Sequence, residues 1–184
     1  RQNKLKTLYD RNLWVESFYA PHTLEVDFAL ANERVNSDYI SKIIDLNYVD
    51  LNTIKKHKKN LKEGTDAACA ETVLMLARDM GKGWYATTLS NYIDVTVSVP
   101  QYILKAVAFA SREVISIDIL FKMVEYSISK HQERDDNDLE MKIKKAITQE
   151  EKRDCIKQFR KEYKENVVIK FLKEVDRYCM DWCK

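Results

Sequence analysis

Apolar positions recur every three or four residues along most of this chain, the spacing of one face of an α-helix. Leu24, Phe28 and Ala31 keep that spacing, and Ile40, Ile43, Ile44 and Leu46 predict a second helix with Ser37 or Asp38 as its cap. Ile54 and Leu61 frame a lysine-rich stretch. Thr65 and Asp66 are good starters for a helix over Ala67–Met80, whose Ala70, Val73, Leu74 and Ala77 share a face. Gly81 ends that helix, and another starts near Lys82 with Tyr85, Leu89 and Tyr92. Val99-Pro100 begins a further one, because proline is welcome in a first helical turn. Val114 to Lys130 is rich in isoleucine and valine, but Val114, Ile117, Phe121, Val124 and Ile128 keep the helical interval.

One segment departs from this rule. Leu13 to Tyr19 (LWVESFY) is short, aromatic and partly β-branched, and it ends at Ala20-Pro21, so it reads as one strand closed by a turn. A lone strand cannot satisfy its own backbone groups, so this reading requires partner strands upstream of Arg1. His131 to Asp138 (HQERDDND) is an uninterrupted polar run. Beyond it an α-hairpin is predicted. Leu139, Ile143 and Ile147 mark a short first helix, and Thr148 to Glu151 has the form of a capping box. Ile156, Phe159, Tyr163, Val167, Phe171, Val175 and Cys179 then predict one long amphipathic helix to the C-terminus. The expected fold is mainly α, with one or a few strands near its start and an α-hairpin at its end. The expected organisation is a main portion over 1–131, a polar linker over 132–138 and a helical extension over 139–184.

Composition narrows the class. With 184 residues, 45% apolar and 33% charged, the chain is globular rather than disordered. A net charge of +2 gives no global pull toward nucleic acid or anionic membrane, so any such attraction is local. Four cysteines (Cys69, Cys155, Cys179 and Cys183) include no C-x-x-C pair, and only three histidines accompany them, which argues against structural zinc. Buried free thiols in a reducing, cytoplasmic compartment are the expectation. The longest apolar stretch, Tyr102 to Ala110, is interrupted by Lys105 and is too short to span a bilayer. The first residue is Arg1 and no signal peptide follows, so a piece of a longer polypeptide is expected.

Two clusters carry candidate chemistry. Two of the three glycines flank Lys82, in Gly81-Lys82-Gly83, and a lysine on such a turn is a compact point charge suited to phosphate. Far upstream, Glu25 and Asp27 lie two apart in Thr23-Leu24-Glu25-Val26-Asp27. At a strand-to-helix junction both carboxylates converge, and they then suit a hard cation such as Mg²⁺; on a helix they diverge and serve the macrodipole. Lys55, Lys56, Lys58, Lys59 and Lys62 form a basic run around His57, either a solvated helix face or a contact with a DNA backbone. Trp84 and Tyr85 either pack in the core or stack on a base. His22 is either a ligand or base beside the acidic segment or an incidental turn residue. The stripe with Phe159, Phe171 and Trp182 packs either on its own domain or on a second copy.

These stretches carry a resemblance. TLEVDFALAN resembles the T-L-E-x-D-L-A stretch of OLD-family (overcoming-lysogenization-defect) nucleases, near the end of their TOPRIM domain. About fifty-five residues further on, GKGWYATTLSNYI and then VPQYILKAVAFA resemble that family's K-G-x-F-A…L and I-P-x-Y-I…A-I stretches. The resemblance covers roughly residues 12–110 and keeps the family's order. It implies the C-terminal edge of an α/β TOPRIM domain, in proteins that pair an ABC-type ATPase with a nuclease cutting DNA with Mg²⁺ or Mn²⁺. It places Glu25 and Asp27 on the late acidic motif as metal and catalytic residues, Lys82 on the late lysine, and Thr23 beside the acidic pair as a hydrogen-bonding support. It also implies DNA as substrate, a tendency to dimerise, and a setting in bacterial defence against phage.

The family's E-G-x-x-E motif, its D-x-D strand and a Walker A loop are missing from the sequence. On this reading the chain holds half an active site and is inactive without an upstream ATPase and TOPRIM portion, in the same or a separate polypeptide, and ATP acts only through that portion. Two rival expectations remain: an all-helical module that docks a partner or DNA without catalysis, and a degenerate TOPRIM remnant that binds DNA without cutting it.

Overall fold

A computed structural model describes residues 2–9, 14–34, 38–94, 96–130 and 137–178. Helix follows helix through these residues: α1 (Gln2–Tyr9), α2 (Leu24–Asn32), α3 (Tyr39–Asn47), α4 (Leu51–Lys62), α5 (Asp66–Met80), α6 (Lys82–Ser90), α7 (Gln101–Ser111), α8 (Ile117–Lys130), α9 (Asn137–Lys145), α10 (Gln149–Glu162) and α11 (Val167–Val175). The chain is all-α among the described residues, with no strand. It divides into two compact units, Tyr19–Pro100 and the combination of Arg1–Phe18 with Gln101–Lys184.

The unit over 19–100 contains α2 to α6. Thr65 caps α5 as its position predicts, its hydroxyl accepting a hydrogen bond from the Ala68 amide at 3.2 Å. Gly81 closes α5 at φ +79°, a conformation that side chains disfavour, and the same residue opens α6. The core joins Phe28 and Ala29 of α2, Ile40, Ile43 and Ile44 of α3, Leu61 of α4, Val73 and Leu76 of α5, and Tyr85 of α6. Burying such side chains contributes about 1.5–3 kcal/mol each.

Polar side chains at the end of α2 hold the rest of this unit in register. Asn32, 2% exposed, donates to the Ser98 carbonyl at 2.9 Å and accepts from the Ser98 amide at 2.7 Å. Beside it, Glu33 is 1% exposed and accepts from the Ile40 amide at 2.7 Å and the Ser41 hydroxyl at 3.0 Å. Glu33 therefore serves the first turn of α3. Asp38 occupies the cap position expected of it, but its side chain makes no cap bond and instead pairs with Lys62 at 2.6 Å. Ser37, the alternative cap, lies outside the described residues.

The second unit holds α1 and α7 to α11. The predicted strand is absent: residues 15–20 are irregular, and Leu13 lies outside the described residues. With no neighbouring strand to pair with, the segment is anchored by its aromatic side chains. Phe18 meets Phe109 of α7 with ring centroids 6.0 Å apart. Gln2–Tyr9 forms α1.

The single long C-terminal helix is also corrected. The capping box that starts α10 is present: Thr148 accepts from the Glu151 amide, and Glu151 accepts from the Thr148 amide at 2.8 Å. The helix then ends at Glu162, and α11 begins at Val167. Asn166 is the physical reason. Its side chain accepts from the Val168 amide at 2.8 Å, capping a new helix, and donates to Ser127 of α8 at 2.8 Å. Tyr163 stacks on Phe159 at 4.7 Å, so the apolar interval continues across the break. Cys179, Trp182 and Cys183 lie outside the described residues. Helices on both sides of the polar run belong to this one unit: Leu120 and Val124 of α8, Leu139 of α9, Phe159 of α10 and Leu172 of α11 share its core. Cys69 and Cys155 are free, buried thiols, and burial raises the pKa of each. No helix among the described residues is long and apolar enough to cross a membrane.

Two measurements check the role of the α2 terminus. Asn32→Ala removes the partners of the Ser98 amide and carbonyl and should cost about 2–3 kcal/mol in urea unfolding. Burial raises the Glu33 pKa above its unfolded value of 4.5. The folded state therefore binds the extra proton, and Glu33 makes stability fall as pH rises from 4.5 through its folded pKa. Glu33→Gln should abolish that slope, so the wild type should lose stability relative to the variant as pH is raised; a relative gain would refute this role.

Candidate functional site

All the residues singled out from the acidic and lysine motifs lie in the unit over 19–100. Pro21 and His22 form a bend, Thr23 takes the extended N-cap conformation, and α2 starts at Leu24. Glu25 and Asp27 both fall within the first turn of α2. Two helical residues are about 200° apart around the axis, so the two carboxylates leave the helix in different directions. The strand-to-helix junction expected to converge them does not exist among the described residues.

Glu25 turns toward Lys82. The Lys82 ammonium lies 3.2 Å from the Glu25 carboxylate, across 57 residues of sequence. The contact forms because Gly81 turns the chain out of α5 so that α6 starts beside the N-terminal turn of α2. Glu25 keeps 16% of its side chain exposed, whereas Lys82 keeps 68%. The pKa of Glu25 is held below its ordinary value, first by a hydrogen bond from its own backbone amide, then by the Thr23 hydroxyl, with Lys82 a smaller contributor. Thr23 hydrogen-bonds Glu25 rather than the Glu25–Asp27 pair, and its side chain does not cap α2.

Asp27 turns inward and is 8% exposed. Its partner is His22, whose ring Nδ1 lies 2.8 Å from one carboxylate oxygen while the His22 amide donates to the other at 3.3 Å. The turn histidine is therefore a specific partner of the acidic segment. Its adjacency to Pro21 in sequence gives no sign of this; only the helix start at Leu24 brings Asp27 back over it.

Among the described residues no three His, Cys, Asp or Glu side chains gather as a metal ion requires. Glu25 and Asp27 point apart and each already has its own partner. The residues present do not fit a resident Mg²⁺ or Mn²⁺ by themselves.

The neighbouring aromatic residues divide. Tyr85 is 2% exposed in the core, and its hydroxyl has no hydrogen-bond partner among the described residues. Burial and the nearby Glu33 and Glu25 carboxylates push its pKa up. Trp84 is 67% exposed beside Lys82. The core reading holds for Tyr85, and a surface available for stacking remains only at Trp84. A Cβ placed on Gly83 would meet nothing within 4 Å, so no close backbone approach explains that glycine.

The lysine run lies on α4. His57 is buried against Tyr48, with ring centroids 5.0 Å apart, and burial followed by Lys56 lowers its pKa. Lys58 pairs with Asp45 at 2.7 Å and Lys62 with Asp38 at 2.6 Å. Lys55, Lys56 and Lys59 are exposed and make no ion pair with any described residue.

A search for similar proteins returned no matching family, no matching curated protein and no matching solved structure. The geometry of this unit is therefore the ground on which its function is argued.

Lys82 is too exposed for its ion pair to stabilise the fold strongly; exposed pairs are worth about 0–1 kcal/mol. Lys82→Ala should lower stability by less than about 1 kcal/mol, read from the midpoint of chemical unfolding. A loss of several kcal/mol would make Lys82 a structural residue and would remove it from the list of functional candidates.

Proposed function

We propose that this chain is the helical C-terminal part of a DNA endonuclease or nickase resembling the OLD family, with Lys82 presented to a DNA phosphate and Glu25 orienting it. One observation carries the reading. Lys82 and Glu25 come from the two stretches that carry the family resemblance, and their charged groups lie 3.2 Å apart at the surface. A lysine held loosely beside a carboxylate keeps its ammonium in place when no phosphate is present. Facing a phosphate, the same ammonium would offset negative charge that develops on the reacting oxygens. Thr23 supports this arrangement through Glu25.

In this reading the upstream ATPase and TOPRIM portion, in the same or a separate polypeptide, supplies the remaining acidic groups. The Mg²⁺ or Mn²⁺ requirement depends on that portion, because the described residues of this chain do not gather three metal-ligating side chains. ATP would act only there, and defence against phage is the biological setting that the resemblance suggests. The cytoplasmic location expected from the cysteines is consistent with both the substrate and the setting.

A second reading is favoured by Asp27. Its burial and its pairing with His22 are what a structural carboxylate would show. In that reading Glu25 and Asp27 complete the first turn of α2, Lys82 is a surface partner, and the unit docks a protein or DNA without chemistry.

The test is plasmid nicking by the complete polypeptide that contains this chain, with Mn²⁺ present. Lys82→Ala and Glu25→Gln should each slow nicking by about 100-fold or more while the protein stays folded. Asp27→Asn, compared with His22→Ala, separates a catalytic carboxylate from a structural pair: loss of activity in both, accompanied by equal loss of stability, assigns Asp27 to the fold. Wild-type nicking by Lys82→Ala would leave the docking module as the better description.

A further inference from the structure

The five lysines of α4 look alike in sequence, but their surroundings separate them. Lys58 and Lys62 are held by Asp45 and Asp38. Those two ammonium groups lie closer to their carboxylates than Lys82 does to Glu25 (2.7 and 2.6 Å against 3.2 Å) and are less exposed than Lys82, so a new anion gains less from them. Lys55, Lys56 and Lys59 have no such partner among the described residues and are exposed. On a helix, Lys55 and Lys59 lie one turn apart on the same face, about 6 Å along the axis, with Lys56 on the flank. Their long stems let three charges reach a surface wider than the helix itself.

We propose that Lys55, Lys56 and Lys59 form a contact for the phosphate backbone of duplex DNA, and that Lys58 and Lys62 take no part in it. The identity of the polyanion rests on the nuclease reading above; the choice of lysines rests on the ion pairs alone. An anionic membrane is the rival polyanion, and the packing of α4 argues against it. A helix that lies in a membrane interface inserts its apolar face among the acyl chains. The apolar face of α4 is committed to the core: Leu61 is 0% exposed, His57 is 8% exposed, and Ile54 packs against the same cluster. What α4 offers to the outside is charge and a single exposed apolar side chain, Leu51 in its first turn, which is not a face that could insert. Successive phosphates of one DNA strand rise by about 3.4 Å along the axis, so a three-lysine face of this length spans two to three of them.

Charge of this kind is read by salt. Each neutralised phosphate contributes about 0.9 to the slope of log K against log salt concentration. The experiment is fluorescence-anisotropy binding of the 184-residue chain to a labelled random-sequence 20-base-pair duplex, across a salt series without divalent metal, so that no cleavage occurs. The triple variant Lys55→Gln, Lys56→Gln and Lys59→Gln should flatten the slope by about 2–3. The double variant Lys58→Gln and Lys62→Gln should change it by less than about 0.5, with circular dichroism showing both variants folded. An unchanged slope in the triple variant, or an equal change in the double variant, overturns the assignment. Binding to vesicles containing phosphatidylserine with no binding to the duplex overturns DNA in favour of a membrane surface. Failure of nicking in the previous test leaves these slopes untouched, so the two proposals fail separately.

Discussion

The unit that contains the candidate site depends on two polar residues buried at the end of one short helix. Asn32 and Glu33 sit where α2 runs out of backbone hydrogen bonds and the chain has to be redirected. Asn32 takes both backbone groups of Ser98, from the far end of the unit. Glu33 takes the first free amides of α3. An apolar pair at these positions would bury more hydrocarbon but would leave those backbone groups without partners, at about 1–3 kcal/mol for each. The carboxylate is an expensive choice, since burial opposes its charge, and its cost is offset by the donors gathered around it and by the positive end of the α3 dipole. Fixing both ends of the unit to α2 also fixes the direction in which the first turn of α2 faces, and so the position of Glu25.

That ordering explains why the two ends of α2 behave differently. At the C-terminal end Asn32 and Glu33 are buried and matched. At the N-terminal end, Asp27 is buried and matched to His22, whereas Glu25 remains partly open and is matched to a lysine that is mostly in water. Exposure rises from Asn32, at 2%, to Lys82, at 68%, along the same helix and its neighbour.

Much of the helix plan was legible in the sequence because it is written in local signals. The 3–4 apolar interval located α2, α3, α5, α6 and α8, Val99-Pro100 marked the start of α7, Thr65 and Gly81 bounded α5, and Thr148 with Glu151 announced α10 through a box that satisfies its own amides. The failures all involve partners distant in sequence. Leu13–Tyr19 has strand composition, but composition cannot supply a neighbouring strand, and the aromatic contact of Phe18 with Phe109 is invisible to a local pattern. The apolar stripe ran on through Tyr163, so periodicity concealed the break that Asn166 enforces by bonding Ser127 on α8. Asp38 had the right chemistry for a cap, yet Glu33 took that role from across a loop and left Asp38 to Lys62. At the candidate site, the resemblance put Glu25 and Lys82 on two separate motifs and named no ion pair between them, and the pairing of His22 with Asp27 had no clear sequence signal.

The exposure of Lys82 bears on what the cluster can do. A buried ion pair resists disruption, because removing one partner leaves an uncompensated charge. The pair here is the opposite case. Lys82 is 68% exposed, so water already shares its ammonium, and the attraction to Glu25 is worth at most about 1 kcal/mol. A phosphate oxygen carrying a full negative charge competes with Glu25 on equal terms or better, and Glu25 loses little when it does, since its own amide and Thr23 contribute more to its ionised state than Lys82 does. The carboxylate therefore stays charged and stationary while the lysine changes partner. A structural ion pair would need neither the glycine turn that starts α6 at this point nor a lysine left so open to solvent, and that combination is the physical reason to look for the function of this chain at Lys82.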